Sequence, residues 1–302
     1  LGKGHVNYAK ILENLALLYS NKGEYEKPES LFLDALAIRE KVLGCEHPDY
    51  AKSLNSLAGF YWSIGNYYKA ETLYLESKAI IEKVLGKGNS TYAGSLINLA
   101  ALNIDLGNYE KAEPLFLEAK NIFEVKLKNF SHPYYMNCLN NLAVLYSDIG
   151  DYEKAEPLYR KSKNFCEKIY GNAHPIYASC LNNLASLYEE VGNYNKAEPL
   201  YLEAKSIQEK VLGKEHPDYA MSLNNLANLY LHLGNYNKSE PLFLEALIIQ
   251  AKILGNEHPD YAMSLNNLAI LYWNMKNYPL KACLPTTDPK RCSIYWIPKM
   301  CC

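Results

Sequence analysis

The sequence predicts an all-α fold, a right-handed superhelical solenoid of antiparallel helix pairs. Three observations predict it. Tyr8, Tyr50, Tyr92, Tyr135, Tyr177, Tyr219 and Tyr261 head seven segments at a 42-residue period, broken only by one 43-residue step between Tyr92 and Tyr135. Periods of roughly 20–50 residues mark arrays in which each unit buries its apolar face on its neighbours. Within a segment, apolar residues recur at spacings of three and four, which is one helical stripe. No segment alternates with period two, and Val, Ile and Thr are scarce, so no β-sheet is expected.

The segment 219–260, "YAMSLNNLANLYLHLGNYNKSEPLFLEALIIQAKILGNEHPD", shows the elements in order. Leu223, Leu226, Ala227 and Tyr230 share one side of a first helix. Gly234-Asn235 breaks it and can cap the next start. Leu242, Ala246, Ile249 and Ile253 share one side of a second helix, which Gly255 ends. Pro241, like Pro114, Pro157 and Pro199, is expected within the first turn or so of that helix, where backbone N–H groups lack partners. In the following "EHPD", Pro259 suits the first helical position and Asp260 favours the positive end of the helix dipole. Each unit is therefore helix–turn–helix–turn, with helices of roughly 16–18 residues, about 25 Å long.

Residues 1–278 read as the array, with its last unit incomplete. Residues 279–302, "PLKACLPTTDPKRCSIYWIPKMCC", stand where "NKAEPLFLEAL" is expected, and read as a divergent, poorly ordered tail. Without a capping helix, the last first-helix is expected to expose part of Leu265, Leu268 and Leu271, an end through which the array could self-associate. At the other end, "LGKGHVNYA" matches "LGKEHPDYA" at 212–220, so the chain reads as opening inside a repeat junction, as a fragment would.

Hydrophobic residues make up 49% of the chain and charged residues 21%, with a formal net charge of −2. That balance gives no electrostatic reason to expect nucleic acid or an anionic membrane. No apolar run approaches the roughly 18–20 residues that span a bilayer, and no signal peptide is visible. The eight cysteines form no C-x-x-C pair and do not follow the repeat, which points to a reducing, cytoplasmic setting.

The pattern resembles the tetratricopeptide repeat. The small residue after the leucine pair (Ala58, Ala100, Ala143, Ala185, Ala227, Ala269) matches that family's tight-packing position, and so do "GNYEKA" at 107–112 and "GDYEKA" at 150–155. The 42-residue length, the "LNNLA" core and the "EKVLGxEHPDYA" junction look like the longer variety in kinesin light chains, also found in bacterial multi-repeat proteins, some carrying a caspase-like CHAT peptidase domain. The resemblance implies first helices along the inner wall of the superhelix. It also implies groove asparagines that hold cargo peptides.

"LNNLA" and its looser copies supply the candidate site. On a helical wheel the leucines and alanine face one way and the two middle residues lie about 100° and 200° round from the first leucine. The first position holds Glu13, Asn55, Ile97, Asn140, Asn182, Asn224 and Asn266; the second holds Asn14, Ser56, Asn98, Asn141, Asn183, Asn225 and Asn267. Asn228 joins the candidates on the inner wall. An asparagine offers donors and an acceptor, so it can hold the backbone of an extended peptide whatever its side chains. It can equally tie one repeat to the next. The first position reads as partner contact or solvated surface, the second as an inter-repeat ladder. Specificity is expected from changing neighbours: Trp62, Glu189 and Trp273 in one column, and Asp105, Asp148, Glu190 and His232 in the next. The acids hint at a basic or mixed-charge partner, although exposed acids are more often a solvated face. They cast doubt on the kinesin-light-chain preference for motifs of Trp flanked by acidic residues.

No catalytic residue, metal site or cofactor is expected. His5, His47, His132, His174, His216 and His258 recur once per repeat, about 10 Å apart, too far to share one zinc, and read as helix-start residues. No G-x-S-x-G, P-loop or H-E-x-x-H motif occurs. The expected function is a protein-interaction scaffold. The alternative is the regulatory or substrate-recruiting region of a larger signalling protein or peptidase.

Overall fold

The computed structural model describes residues 5–21, 26–256 and 258–275. The tail 279–302 lies outside these residues. Thirteen α-helices and no strand occur among the described residues, which gives an all-α helical-repeat solenoid. The chain divides into two compact units, Leu1–Gly171 and Asn172–Cys302. The first contains α1 (Val6–Asn21), α2 (Pro28–Leu43), α3 (Pro48–Ser63), α4 (Tyr67–Leu85), α5 (Ser90–Asp105), α6 (Tyr109–Asn121), α7 (Pro133–Asp148) and α8 (Tyr152–Tyr170). The second contains α9 (Pro175–Glu190), α10 (Tyr194–Leu212), α11 (Pro217–His232), α12 (Tyr236–Ile253) and α13 (Pro259–Asn274).

Odd-numbered helices are the first helices of the pairs, and from α3 on the turn into the second takes three residues, such as Ile64-Gly65-Asn66. So short a link between two packed helices sets them antiparallel. Gly65 adopts φ 76° while the Asn66 amide donates to the Tyr61 carbonyl at 2.8 Å, a Schellman closure. The Asn66 side chain then accepts from the Lys69 amide at 3.3 Å and starts the second helix.

The six junction histidines are the caps of the first helices. His47, His132, His174 and His216 each accept the amide two residues on through Nδ1 at 3.1 Å, and His5 and His258 do the same. In the one junction without histidine, Asn89 accepts from the Thr91 amide at 2.7 Å. Proline follows the cap at Pro48, Pro133, Pro175, Pro217 and Pro259, where its missing N–H removes nothing.

Two expectations about the helices need correction. Pro114, Pro157, Pro199 and Pro241 stand at the sixth residue of α6, α8, α10 and α12, not in the first turn. These helices begin at Tyr109, Tyr152, Tyr194 and Tyr236, a turn earlier than the prolines suggest, with Asp151 capping α8 through its side chain, and each proline removes one backbone bond. Leu268 and Leu271 are buried, because the leucine stripe of α13 faces back onto Phe243 and Leu247 of α12, whereas Leu265 is half-buried and so partly exposed as expected. Met263, Ile270 and Trp273 are the exposed apolar residues there.

The 43-residue step has a local solution. Phe123 keeps the buried place that Ile81 holds one repeat earlier. The extra residue follows it: Ile122–Lys126 form a π-turn, the Leu127 amide reaches the Ile122 carbonyl at 2.9 Å, and Lys128 takes φ 49°.

Candidate functional site

In the repeats of Asn182 and Asn224 the two middle residues of "LNNLA" lie in different environments, and the buried one is the first and not, as expected, the second. Asn182 and Asn224, in the first position, are 7% and 2% exposed. Asn182 Nδ2 donates to Ser222 Oγ at 3.0 Å, across to the next first helix, and Ser222 Oγ donates on to Gln208 Oε1 of the intervening second helix. Asn224 Nδ2 donates to Ser264 Oγ at 2.5 Å in the same register. These two residues form the inter-repeat ladder and are not available to a partner. The reason is that a first helix touches its own second helix and the next first helix, so its buried arc extends past the leucines to the position 100° away.

The same place in the first unit is a buried ion pair. Arg39 of α2 holds Glu13 of α1 with both nitrogens, at 2.5 and 2.8 Å, and Ser53 of α3 donates to Glu13 at 2.7 Å. Two repeats on it is apolar: Ile97, Phe123 and Cys138 are all buried. Burial pushes the Cys138 thiol up to about 12, so it is no nucleophile.

Second-position residues are less buried. Asn98, Asn141, Asn183, Asn225 and Asn267 are half-buried, as are Asn55 and Asn140 of the first position; Asn266, beyond the last ladder rung, is exposed. In the second unit a cavity of about 700 Å³ brings predicted residues together: Glu189, Glu190, Asn225, Asn228, His232 and Asn267 line it. Ser186, Tyr194, Tyr201, Leu231 and Ile270 complete the lining. Ser186, Asn228 and Ile270 hold one place in successive repeats, a column legible in the sequence. Tyr201 comes from the second helix, and nothing in its local sequence marks it.

The specificity columns are partly occupied by each other. Trp62 Nε1 donates to Asp105 Oδ2 at 2.6 Å, and His232 Nδ1 lies 2.8 Å from Glu189 Oε1, the same pair of columns one repeat apart in each case. Asp148 is exposed, and its carboxyl is raised first by burial and then by Asp105. Trp273 is 64% exposed. Among the described residues no group of three or more His, Cys, Asp or Glu could hold a metal ion, and no helix is long and apolar enough to cross a membrane.

Sequence profiles of the tetratricopeptide repeat match residues 9–49, 51–125, 134–210, 183–247 and 218–280. The chain belongs to the tetratricopeptide repeat family. No curated protein shows significant similarity to it. Among solved structures, it is similar to the nearly identical TPR-like repeats of a Podosopora anserina protein assigned to the kinesin light chains, with 25% identity over 69% of this chain and 98% of that one and a TM-score of 0.55. BtubC (BKLC) from P. vanneervenii is 24% identical over 76% of this chain and 91% of that one, with a TM-score of 0.61. The Rap protein complexed with Competence and Sporulation Factor shares the fold at 14% identity, 90% and 87% coverage and a TM-score of 0.58.

The tetratricopeptide turn motif now has a physical reading. Its Lys lies over the Tyr of its own repeat, as Lys154 over Tyr146 at 4.9 Å and Lys238 over Tyr230 at 4.7 Å. Its Glu accepts from the Tyr of the next repeat, as Tyr146 to Glu113 at 2.7 Å, Tyr230 to Glu198 at 2.8 Å and Tyr272 to Glu240 at 2.8 Å. The recurring tyrosines thus pack between helices with their hydroxyls at the edge.

Glu189 is the unusual acid of the array. Its side chain is only 10% exposed; Tyr201 donates to its Oε2 at 2.8 Å. Burial raises its carboxyl despite the opposing pulls of Tyr201 and His232. A raised acid binds its proton more tightly when folded, so the stability tied to it is present below its unfolded value and is lost as pH rises through the folded one. Glu189→Gln keeps the acceptor for Tyr201 and removes the charge. It is expected to raise the melting temperature at neutral pH and leave it unchanged at pH low enough to protonate Glu189. An equal effect at both pH values would show that the carboxylate charge is not the cause.

Proposed function

We propose that this array is a protein-interaction scaffold that holds an extended segment or helix of a partner on the inner wall of its first helices, with no reaction carried out on this chain. The observation that carries the reading is the cavity of the second unit, where half-buried amides one repeat apart, Asn225 and Asn267, face the same space as Asn228 and the changing residues Glu189, Glu190 and His232. Asn183 holds the same second position in the same unit, and Asn98 and Asn141 hold it in the first unit. Such amides satisfy a peptide backbone without reading its side chains, while their neighbours supply the choice. The fold supports this reading: repeats of this type commonly serve as interaction scaffolds, and the similar Rap protein was solved in complex with Competence and Sporulation Factor. We place the protein in the reducing cytoplasm, where the buried thiol Cys138 remains free.

A photo-crosslinking amino acid at Asn228 tests the proposal against the same group at Tyr68, which is exposed on α4. The partner should crosslink from position 228 and not from 68. Asn225→Ala with Asn267→Ala should weaken its binding about tenfold, the order expected for two neutral hydrogen bonds. Equal crosslinking from both positions, or undiminished affinity in the double variant, would refute the inner-wall reading.

A further inference from the structure

We propose that the cavity of the second unit selects a cationic side chain, lysine or arginine, from an extended segment of a partner protein, with Glu189 as the buried anion that receives it. This rests on the inner-wall reading above and adds to it the charge of what is held.

The lining carries two carboxylates, Glu189 and Glu190, and neither lysine nor arginine; His232 is its one basic side chain. Glu189 is not a solvated surface acid. It stands in the wall with nine-tenths of its side chain buried, and its two oxygens differ. Oε2 receives the Tyr201 hydroxyl, whereas Oε1 accepts no aligned hydrogen bond and is shielded from water with His232 Nδ1 2.8 Å away, so a cation reaches it by displacing that exposed imidazole. A desolvated carboxylate oxygen without an aligned donor gains most from an incoming charged donor. Its raised carboxyl has the same origin, a charge that its neighbours do not fully offset.

The rest of the cavity suits the other parts of such a segment. Ile270 offers apolar surface to the methylene stem of lysine or arginine, whose head remains polar. Asn225 and Asn267 offer donors and acceptors to the main chain on either side. An acidic segment would set like charge against both glutamates, and a neutral one would cover Glu189 without pairing it; both are disfavoured relative to a cation.

The experiment uses the full chain and three fluorescein-labelled peptides of equal length, alternating Ser with Arg, Ser with Gln or Ser with Glu. Their binding is read by fluorescence polarisation at physiological salt, where distant charges are screened. The Arg peptide should bind about tenfold more tightly than the Gln peptide, and the Glu peptide most weakly. Glu189→Gln should abolish most of that preference, Glu190→Gln should reduce it less, and Asn225→Ala should weaken the Arg and Gln peptides by the same factor. Circular dichroism confirms that each variant is folded. Equal affinity for the Arg and Gln peptides overturns the cationic selection and leaves the inner-wall reading intact. An Arg preference that survives Glu189→Gln unchanged assigns it to general surface attraction and also overturns the proposal. Binding of none of the three defeats the inner-wall reading itself, and this inference with it.

Discussion

Glu13→Ala is expected to cost about 3–5 kcal/mol of stability, the range for removing one partner of a buried ion pair. The substitution leaves Arg39, itself buried, without its bidentate carboxylate and leaves Ser53 without its acceptor. The loss should be local. In a stacked array each repeat is stabilised mainly by its own helices and its nearest neighbours, so limited proteolysis should open the α1–α2 pair first. Urea unfolding followed by circular dichroism measures the total. The chain itself supplies the control: Ile97, Phe123 and Cys138 fill the same place two repeats on with apolar groups. Replacing Glu13, Arg39 and Ser53 together by those three residue types should recover most of the stability, because a well-packed apolar set often equals or exceeds a buried ion pair. If Glu13→Ala costs less than about 1 kcal/mol, the pair is hydrated and its buried geometry is wrong.

Asn182→Ala and Asn224→Ala should each cost about 1–3 kcal/mol, because each strips a buried hydroxyl network of its donor. The two sit on different repeat interfaces, so their effects should add to within a few tenths of a kcal/mol. Asn225→Ala and Asn267→Ala, at the second position of the repeats that hold Asn224 and Asn266, should change stability by no more than about 0.5 kcal/mol. The pairs thus separate by assay: the first moves the melting curve and the second moves partner affinity. Thermal unfolding of the two double variants side by side decides it. Should the second pair melt early and the first not, the ladder runs through the second position, as the helical wheel alone suggested.

That reversal shows where the sequence is informative. Helices, turns and caps are set by residues close in the chain. Gly65 and Asn66 close one helix and open the next through their own backbone and side-chain bonds. The junction histidines cap through an amide two residues away. Leucine and alanine at three- and four-residue spacing then give each helix its buried side, and the period gives each helix a copy of itself to pack on. All of this can be read without coordinates.

A residue at the edge of that buried side cannot be placed in the same way. The wheel sets Asn182 and Asn183 at 100° and 200° from the stripe but does not say how far the neighbours reach round. Ser222 and Gln208, 40 and 26 residues further along, make that decision. The same holds for Glu13, whose partners Arg39 and Ser53 occupy equivalent places in register. Tyr201 enters the cavity from a second helix for the same reason. The sequence by itself determined the helical repeat, its turns, its caps and the residues available to line an inner wall. Only the tertiary structure decided which of two adjacent amides is spent inside the array, because the rotation of a helix about its axis is settled by packing against segments distant in the chain.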